Sequence, residues 1–266
     1  MNHTAAVEFV NISKFFDDRC VVKNLNVTFP KEKITTIIGP SGCGKSTTLK
    51  MINRLIEPNE GKILIDGMDI SQMDSVNLRR NIGYVIQQIG LFPLMTIEEN
   101  ISLVLRLKGA KKDEKMRDRV TELLHLIGLE PEQYRNRYPH EMSGGQQQRI
   151  GVARALCADP SIILMDEPFS ALDPISRIQL QDELISLQKK LKKTIIFVTH
   201  DMEEALKISN QIILLNDGEL IQSGDPIDLL RQPKDEFVRK FIGEKYFQDS
   251  FIQQMNSLDD QVSVPR

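Results

Sequence analysis

Apolar residues fall into two patterns along the chain, one typical of strands and the other of helices. Short runs rich in β-branched residues recur near both ends of the sequence, and several are apolar at every position, as in strands that helices cover on both faces. The turns IDGMD and NDGE separate strand-like runs and indicate hairpins. The five runs are Ile34–Ile38, Lys62–Ile65, Ile162–Met165, Thr194–Val198 and Gln211–Leu215. The early and late parts of the chain are therefore predicted to form an α/β sheet domain.

The segment from Thr96 to about Leu156 contains no convincing strand and instead shows helical spacing. Its first residues, TIEE, match a capping box in which Glu99 reaches back to the Thr96 backbone. Further along, apolar residues recur at the i, i+3, i+4 and i+7 positions of one helix face, at Val120, Leu123, Leu124 and Ile127. We predict a helical lobe at about residues 88–158, inserted between strands of a domain that covers residues 1–230.

The residues that follow this domain show one more helical pattern. An apolar helix face is carried by Phe237, Val238, Phe241 and Ile242. From about Asn256 the chain is polar, and chain ends of this kind are commonly frayed. We therefore predict a C-terminal extension at residues 231–266 that consists of a helix or two and a flexible tail.

Composition narrows the class of protein. The 266-residue chain has 41% hydrophobic and 27% charged residues, as an ordinary globular protein does. A net charge of -3 argues against a nucleic-acid partner held by bulk electrostatics. Cys20, Cys43 and Cys157 lack metal-ligand spacing, which predicts neither a zinc site nor a disulfide framework. No apolar run approaches the roughly 20 residues that cross a bilayer, so any membrane attachment is expected to come through a partner.

The stretch GPSGCGKST fits the phosphate-loop pattern G-x-x-x-x-G-K-[ST] and lies between a predicted strand and a predicted helix, as that motif requires. Its glycines let the backbone wrap phosphates, Lys45 reaches the β and γ oxygens, and the Ser46 hydroxyl can bind Mg²⁺. The sequence therefore predicts an ATP site. Its residues are Gly39, Pro40, Ser41, Gly42, Cys43, Gly44, Lys45, Ser46 and Thr47.

Two further strand ends carry polar residues suited to phosphate chemistry. The run IILM ends in Asp166 and Glu167, where Asp166 can hold the Mg²⁺ shell and Glu167 can act as the general base on the attacking water. His200 follows the run TIIFV, at the edge of an open α/β sheet where ligands bind. We predict that His200 contacts the γ-phosphate and orients the water and Glu167.

A glutamine pair lies where the sheet gives way to the helical lobe, in YVIQQIGLF. Gln87 could reach Mg²⁺ or the attacking water while its loop follows the lobe. The neighbouring Gln88 is equally polar, and the residues alone do not decide between the two.

The stretch SGGQ opens a predicted helix and looks like a second anion cradle, because backbone N–H groups and the helix dipole both favour negative charge there. It comprises Ser143, Gly144, Gly145 and Gln146. This cradle contains no lysine, although a complete phosphate loop stands about a hundred residues earlier. The motif therefore raises the question of what it completes.

Taken in order, these motifs resemble the nucleotide-binding subunit of an ATP-binding cassette (ABC) transporter, over about residues 7–230. The resemblance implies an α/β fold with a P-loop NTPase (RecA-like) core, an antiparallel β subdomain and an inserted α-helical subdomain. It also implies a homodimer in which each SGGQ segment, the signature, completes the ATP site of the other copy. It favours Gln87 over Gln88 as the functional glutamine.

The same resemblance assigns two more sets of residues. Phe16 is implied as the aromatic that stacks on adenine, with Phe15 as a rival because stacking tolerates substitution. Met142 replaces the leucine usual in the family, a change that conserves volume. The segment SALD is implied as the dimer-contact loop and comprises Ser170, Ala171, Leu172 and Asp173.

Three longer stretches, KMINRLIEP, YVIQQIGLFP and YPHEMSGGQQQRIGV, resemble the branch of the family that takes up quaternary amine osmoprotectants such as glycine betaine, carnitine and choline. That implies an ATPase on the cytoplasmic face of an importer, working with ATP, Mg²⁺, membrane permease subunits and an extracytoplasmic substrate-binding protein or domain, and not with nucleic acid. Long members of the branch carry a pair of CBS modules, for which residues 231–266 are too few.

Competing interpretations stay open at this point. The cargo could be another small molecule, such as an amino acid, or the transporter could be an exporter. A non-transport ABC ATPase acting on DNA or ribosomes is disfavoured by the single cassette and the mildly acidic charge. A catalytically silent binding module is disfavoured by the intact Lys45, Asp166, Glu167 and His200.

Overall fold

The computed structural model describes residues 5–87 and 90–247. The strands are β1 (Ala5–Phe16), β2 (Arg19–Pro30), β3 (Ile34–Ile38), β4 (Glu60–Ile65), β5 (Met68–Asp69), β6 (Ile82–Val85), β7 (Ile162–Asp166), β8 (Thr194–Val198), β9 (Gln211–Asn216) and β10 (Glu219–Gly224). The helices are α1 (Lys45–Ile52), α2 (Ser75–Arg80), α3 (Ile97–Leu107), α4 (Glu114–Leu126), α5 (Pro131–Tyr134), α6 (Gly144–Leu156), α7 (Pro174–Leu191), α8 (Met202–Ile208), α9 (Pro226–Arg231) and α10 (Glu236–Ile242). Short 3₁₀ turns lie at Ile70–Gln72, Pro139–Glu141 and Glu244–Phe247.

A six-stranded sheet in the order β10-β9-β3-β8-β7-β6 forms the centre of the fold. Strands β9, β3, β8, β7 and β6 run parallel, while β10 closes one edge as a hairpin partner of β9. Strands β3, β7 and β8 are buried at every position, as runs that are apolar on both faces predict. Because parallel strands end at the same edge, the segments that follow β3, β6, β7 and β8 come together there.

A second sheet, in the order β2-β1-β4-β5, is antiparallel. Its long first strand pairs with β2 on one side and with β4 on the other, and both pairings contain register shifts. The hairpin β1–β2 brings Phe16 and the start of β2 to the phosphate loop, since a side chain on Gly44 would meet the Val21 carbonyl oxygen at 2.7 Å. This sheet therefore forms one wall of the functional edge.

Between β6 and β7 the described residues hold helices. The α3 helix begins at a capping box in which Thr96 accepts from the Glu99 backbone and Glu99 accepts from the Thr96 backbone. Its apolar side packs with α4, α6 and the underside of the central sheet in one buried cluster, which includes Ile97, Ile101, Val120, Leu123, Leu124 and Ile150. The α6 helix, which begins at the signature segment, is thereby anchored to the sheet core.

Two other buried clusters complete the core. One lies between the antiparallel sheet, α1 and the central sheet, and the other packs α8, β9 and the C-terminal helices around Leu229 and Val238. The predicted flexible tail from Asn256 onward lies outside the described residues. Among the residues that are described, no helix combines the length and the apolar character that crossing a bilayer needs. The predicted fold class, an α/β core with an antiparallel β subdomain and an inserted α-helical subdomain, is confirmed.

Candidate functional site

The phosphate loop joins β3 to α1, and its glycines are fixed by crowding inside the chain. Gly44 has φ +98° and a side chain there would lie 2.7 Å from the Val21 carbonyl oxygen. A side chain on Gly39 would overlap the carbonyl oxygen of Leu215. Only glycine tolerates both the left-handed backbone and these close approaches. The loop geometry is therefore dictated by the surrounding fold.

Lys45, the first residue of α1, is 7% exposed and is held by its own loop. Its ammonium donates to the carbonyl oxygens of Gly39 and Pro40, each at 2.8 Å. Cys43 lies behind the loop, is buried, and places its Sγ 3.9 Å from the Lys45 Nζ. Burial raises the pKa of the Cys43 thiol. Cys43 therefore supports the loop from beneath.

Asp166 ends β7 and is 5% exposed. The Ser46 hydroxyl donates to its Oδ1 at 2.8 Å, and Lys50 Nζ lies 3.9 Å from its Oδ2. The pKa of the Tyr84 hydroxyl on β6 is raised, first by burial and then by the neighbouring Asp166. The structure thus brings together the serine and the aspartate that the sequence pairs as Mg²⁺ ligands.

Glu167 is the point where three strand ends meet. It adopts a left-handed backbone with φ 46°, and its N–H donates to the Val198 carbonyl oxygen at 2.9 Å. Gln87 Nε2 donates to Glu167 Oε2 at 3.1 Å, and His200 Nδ1 lies 3.2 Å from the same oxygen. A left-handed non-glycine residue is uncommon and is often found at functional sites. One carboxylate therefore links the residues that follow β6, β7 and β8.

These groups line a cleft of about 620 Å³, the phosphate-loop cleft. Its wall is formed by Phe16, Arg19, Val21, Ser41, Gly42, Gly44, Lys45, Ser46, Thr47, Gln87, Glu167 and His200. Phe16 is 44% exposed, and the Lys14 ammonium lies 5.0 Å from its ring centre. Phe15 is not among the lining residues, and its N–H donates to the Asn59 side chain. The geometry therefore supports Phe16 over Phe15 as the stacking aromatic.

Sequence reasoning did not select Arg19 or Val21, although both line the cleft. The Arg19 guanidinium would lie 3.9 Å from a side chain on Gly42, so it stands at the mouth of the phosphate loop. The only signal in the sequence was its position three residues after Phe16, which does not reveal how the hairpin folds over the loop.

The signature segment lies elsewhere on the chain. Ser143 caps α6 by accepting from the Gln146 N–H at 3.3 Å, and the Gln146 side chain accepts from the Ser143 N–H at 3.0 Å. A side chain on Gly144 would have nothing within 4 Å, and one on Gly145 would meet the Ser176 side chain only at 3.8 Å. None of residues 143–146 is among the described residues that line the phosphate-loop cleft. The chain's own fold does not bring the two glycine-rich segments together.

The predicted dimer-contact loop leads from Glu167 to α7. Ser170 donates its hydroxyl to the Glu167 carbonyl oxygen at 3.0 Å, and Leu172 is buried. Asp173 caps α7 by accepting from the Ser176 N–H at 3.0 Å, and hydrogen bonds from Ser176 hold the pKa of Asp173 below its usual range. The exposed Ser170 and Ala171 form the tip of the loop.

Curated transport proteins are similar to this chain over most of its length. The chain is 58% identical over 236 residues to the choline transport ATP-binding protein OpuBA of Bacillus subtilis (strain 168), covering 88% of this chain and 61% of the relative. It is 54% identical over 239 residues to the carnitine transport ATP-binding protein OpuCA of Listeria monocytogenes, covering 90% and 60%. The chain thus spans about three fifths of the length of these relatives.

Two solved structures share the fold. The dimeric structure of MJ0796, a bacterial ABC transporter cassette, matches with a TM-score of 0.74 at 38% identity, covering 83% of this chain and 98% of that one. A post-hydrolysis state of MJ0796 bound to ADP and Pi matches with a TM-score of 0.73 at the same identity and coverage. The family model described as "ABC transporter" matches residues 22–170. The chain therefore belongs to the ABC transporter family.

Proposed function

We propose that the chain is the ATP-hydrolysing subunit of an importer for a small solute, with a quaternary amine osmoprotectant as the favoured cargo. The observation that carries this proposal is the meeting of Gln87 and His200 on the Glu167 carboxylate, beside Lys45 in the same cleft. A carboxylate held at a phosphate loop by two polar partners is suited to polarise water against a bound phosphate.

Each residue has a distinct task in this proposal. Lys45 and the loop N–H groups hold the phosphates of ATP, and Phe16 stacks on adenine. Glu167 accepts a proton from the attacking water, while His200 and Gln87 orient that carboxylate. Positioning and electrostatic stabilisation account for most of the catalysis in phosphoryl transfer, so the geometry of these groups matters more than their individual reactivity.

The donor set also fits Mg²⁺, which prefers oxygen ligands. The Ser46 hydroxyl and the Asp166 carboxylate lie 2.8 Å apart, close enough to share an ion, and the Gln87 side chain supplies an amide oxygen nearby. We assign Ser46, Asp166 and Gln87 to hold the ion. When bound, Mg²⁺ neutralises charge on the phosphate oxygens.

The signature segment supports a homodimer with shared sites. Glycine in a helix is less favourable than alanine by about 1 kcal/mol, yet Gly144 and Gly145 open α6 without a steric reason inside the chain. Such glycines are explained by the close approach of something outside the chain, and the N–H groups of a helix start attract anions. We assign that approach to the ATP held by the phosphate loop of a second copy.

Attachment to the membrane would come through permease subunits at the cytoplasmic face. The segment at residues 90–96, which precedes α3, carries Phe92, which is 47% exposed, and Leu94, which is 91% exposed. Exposed apolar residues that cluster are a feature of interaction sites. Both residues lie between Gln87 and α3 in the sequence, so a permease that docks on them would be coupled to the position of Gln87. An extracytoplasmic substrate-binding protein or domain would deliver the cargo.

The test is ATP turnover by the chain assembled with its permease and binding subunits in lipid vesicles. We expect turnover to rise when a quaternary amine such as glycine betaine, carnitine or choline is supplied with the binding subunit. Stimulation only by unrelated solutes, such as sugars or metal ions, would reject the cargo and keep the ATPase. Failure of the assembled complex to hydrolyse ATP at all would reject the function itself.

A further inference from the structure

The first turn of α7 carries an arginine that contacts two functional segments at once. Arg177 Nη2 donates to the Leu172 carbonyl oxygen, in the dimer-contact loop, at 3.2 Å. Its Nη1 lies 3.5 Å from Asp201 Oδ2, immediately after His200. A planar guanidinium holds two partners in fixed directions, so these two segments cannot shift independently while both contacts persist.

Asp201 in turn belongs to a short anchored segment around His200. Its carboxylate accepts from the N–H groups of Glu203 at 2.9 Å and Glu204 at 3.3 Å, which caps α8. Its own N–H donates to the Thr199 hydroxyl at 3.0 Å. His200 therefore lies between two residues that are tied down, although its own side chain is 64% exposed. A movement of Asp201 is passed directly to the His200 backbone.

Arg177 also borders a small polar cavity beneath the site. The cavity has a volume of about 20 Å³ and is lined by Glu167, Ser170 and His200 as well as Arg177. Arg177 Nε is buried and has no hydrogen-bond partner within the part of the chain that the structure describes. A buried donor without an acceptor is unfavourable, so a small shift that brings an acceptor within reach would be stabilised. A second position of the Arg177 guanidinium, in which Nε gains an acceptor, would therefore be favourable.

We propose that Arg177 is a positioning residue that transmits the position of the dimer-contact loop to His200. A second copy that docks on Ser170 and Ala171 displaces the Leu172 carbonyl, the guanidinium follows, and Asp201 carries His200 relative to Glu167. Hydrolysis thereby depends on docking of the partner, through a contiguous set of contacts inside one chain. This inference rests on the proposed ATPase and its dimer.

The α7 and α8 helices offer a matched control. Lys207 on α8 pairs with Asp182 on α7 at 2.7 Å and donates to the Ile178 carbonyl oxygen. Lys207 therefore joins the same two helices with one ion pair and one carbonyl contact, but it does so away from residues 199–201. If Arg177 only held α7 and α8 together, substitutions of Arg177 and of Lys207 should have similar effects.

The experiment compares Arg177→Met with Lys207→Met in the full chain assembled with its permease and binding subunits. We expect Arg177→Met to lower kcat about tenfold, the scale on which network residues modulate coupling, with the KM for ATP within about twofold. Lys207→Met should leave both constants within about twofold. In a Glu167→Gln background, ATP-driven dimer formation should persist in Arg177→Met, because the loop tip is unchanged.

Two additional variants separate a positioning role from a structural one. Asp201→Asn keeps the helix cap but removes the charge that faces Arg177, so the double variant with Arg177→Met should be no slower than Arg177→Met alone. Arg177→Lys supplies a milder change if the methionine variant does not fold, and one ammonium cannot hold both partners, so kcat should still fall.

Three results would overturn the inference. Equal kcat values for Arg177→Met and Lys207→Met would contradict the coupling. So would a double variant whose loss of kcat is the product of the losses in Arg177→Met and Asp201→Asn. Loss of the dimer in the Glu167→Gln background would make Arg177 part of the contact surface instead. A wild-type complex without ATP hydrolysis would reject the proposed function, which is distinguishable because a failed inference leaves wild-type turnover intact.

Discussion

The two glycine-rich helix starts of this chain look alike in sequence and differ in what constrains them. At the start of α1, Gly44 needs a left-handed backbone and lies against the Val21 carbonyl, so the chain itself demands glycine. At the start of α6, Gly144 faces open space. A glycine that is crowded by its own chain is required by the fold. A glycine in a helix with open space around it is not, and this indicates contact with another molecule.

The charges at the two helix starts differ in the same sense. Lys45 stands at the first, next to Ser46, whose hydroxyl donates to Asp166, and Glu167 lines the same cleft as Lys45. The second has no charged side chain at residues 143–146, and the Ser143 and Gln146 side chains each accept from the other's backbone N–H. Under the proposed function the first helix start holds the charged groups and the second supplies backbone donors, which is the division expected of two halves that meet in a symmetric dimer.

The largest effect should come from removing the chemistry of the first half. We expect Glu167→Gln to bind ATP normally and to accumulate as a closed dimer, with hydrolysis lower on the order of a hundredfold or more, because glutamine keeps the shape but loses the charge that accepts a proton. Single-turnover hydrolysis and size-exclusion chromatography with ATP measure both properties. Near wild-type turnover would take the base role away from Glu167.

A mixing experiment tests whether the two halves belong to different chains. In a Glu167→Gln background, Lys45→Ala and Ser143→Arg should each trap close to no ATP in its own homodimer, because every site contains one lesion. In a tagged heterodimer of the two variants, both lesions fall in the same ATP site and the other ATP site is intact. We therefore expect about one trapped ATP per dimer. A verified heterodimer that traps no nucleotide would contradict the shared site.

Paired alanine substitutions at the glycines test the comparison directly. Gly44→Ala should lose on the order of 1–3 kcal/mol of stability from the left-handed backbone, with more from the close carbonyl. Gly144→Ala should keep its stability or gain up to about 1 kcal/mol. Only its dimer-dependent ATP turnover should fall. Denaturant unfolding and turnover measure the two properties, and full activity in Gly144→Ala would show that nothing needs the open space.

The smallest expected effect concerns the pH dependence of stability that comes from Glu204, a buried carboxylate of α8. Burial raises the pKa of Glu204, although its carboxylate accepts a hydrogen bond from Gln181 at 3.2 Å. A raised folded-state pKa means that the native state binds the proton more tightly than the unfolded state. The stability from Glu204 is therefore complete below the ordinary glutamate pKa and is lost as pH rises through the raised value.

Glu204→Gln lacks this loss, so its Tm relative to wild type should increase as pH rises from about 4. Thermal unfolding across pH measures the difference. Glu203→Gln is the control for the substitution itself, because it makes the same change at the neighbouring residue of α8, whose side chain is 75% exposed. A Tm difference for Glu204→Gln that does not change with pH would argue that burial does not perturb this carboxylate.

Four strands of the central sheet, β3, β7, β8 and β9, could be predicted from sequence because each is a short run of apolar residues, whereas β6 and β10 were not among the predicted runs. The apolar pattern did not reveal the antiparallel strands β1 and β2 even though each has 12 residues, and only the family resemblance implied an antiparallel subdomain. Their pairing contains register shifts, and Asn11 and Asn24 adopt left-handed backbones within them. Bulges of this kind interrupt the alternation of polar and apolar positions on which strand prediction depends.

The candidate site divides along the same line. Polar residues within two positions of the end of an apolar run, such as Asp166, Glu167 and His200, can be selected because parallel strands end at one edge. Arg19 and Arg177 could not, since Arg19 reaches the cleft from a hairpin and Arg177 contacts two separate segments, at Leu172 and Asp201. The choice of Gln87 rested on resemblance, and Gln88 lies outside the described residues.

The contacts of Lys45 change how substitutions at this position should be interpreted. Its ammonium links the carbonyl oxygens of Gly39 and Pro40, so the side chain acts as an internal strut of the loop before any phosphate arrives. Replacing Lys45 leaves the carbonyl oxygens of Gly39 and Pro40 without their donor, which is expected to change the conformation of the loop. A substitution of Lys45 would therefore alter the shape of the loop as well as remove a charge. Under the proposed function, phosphate oxygens would compete with these two carbonyl oxygens for the same ammonium.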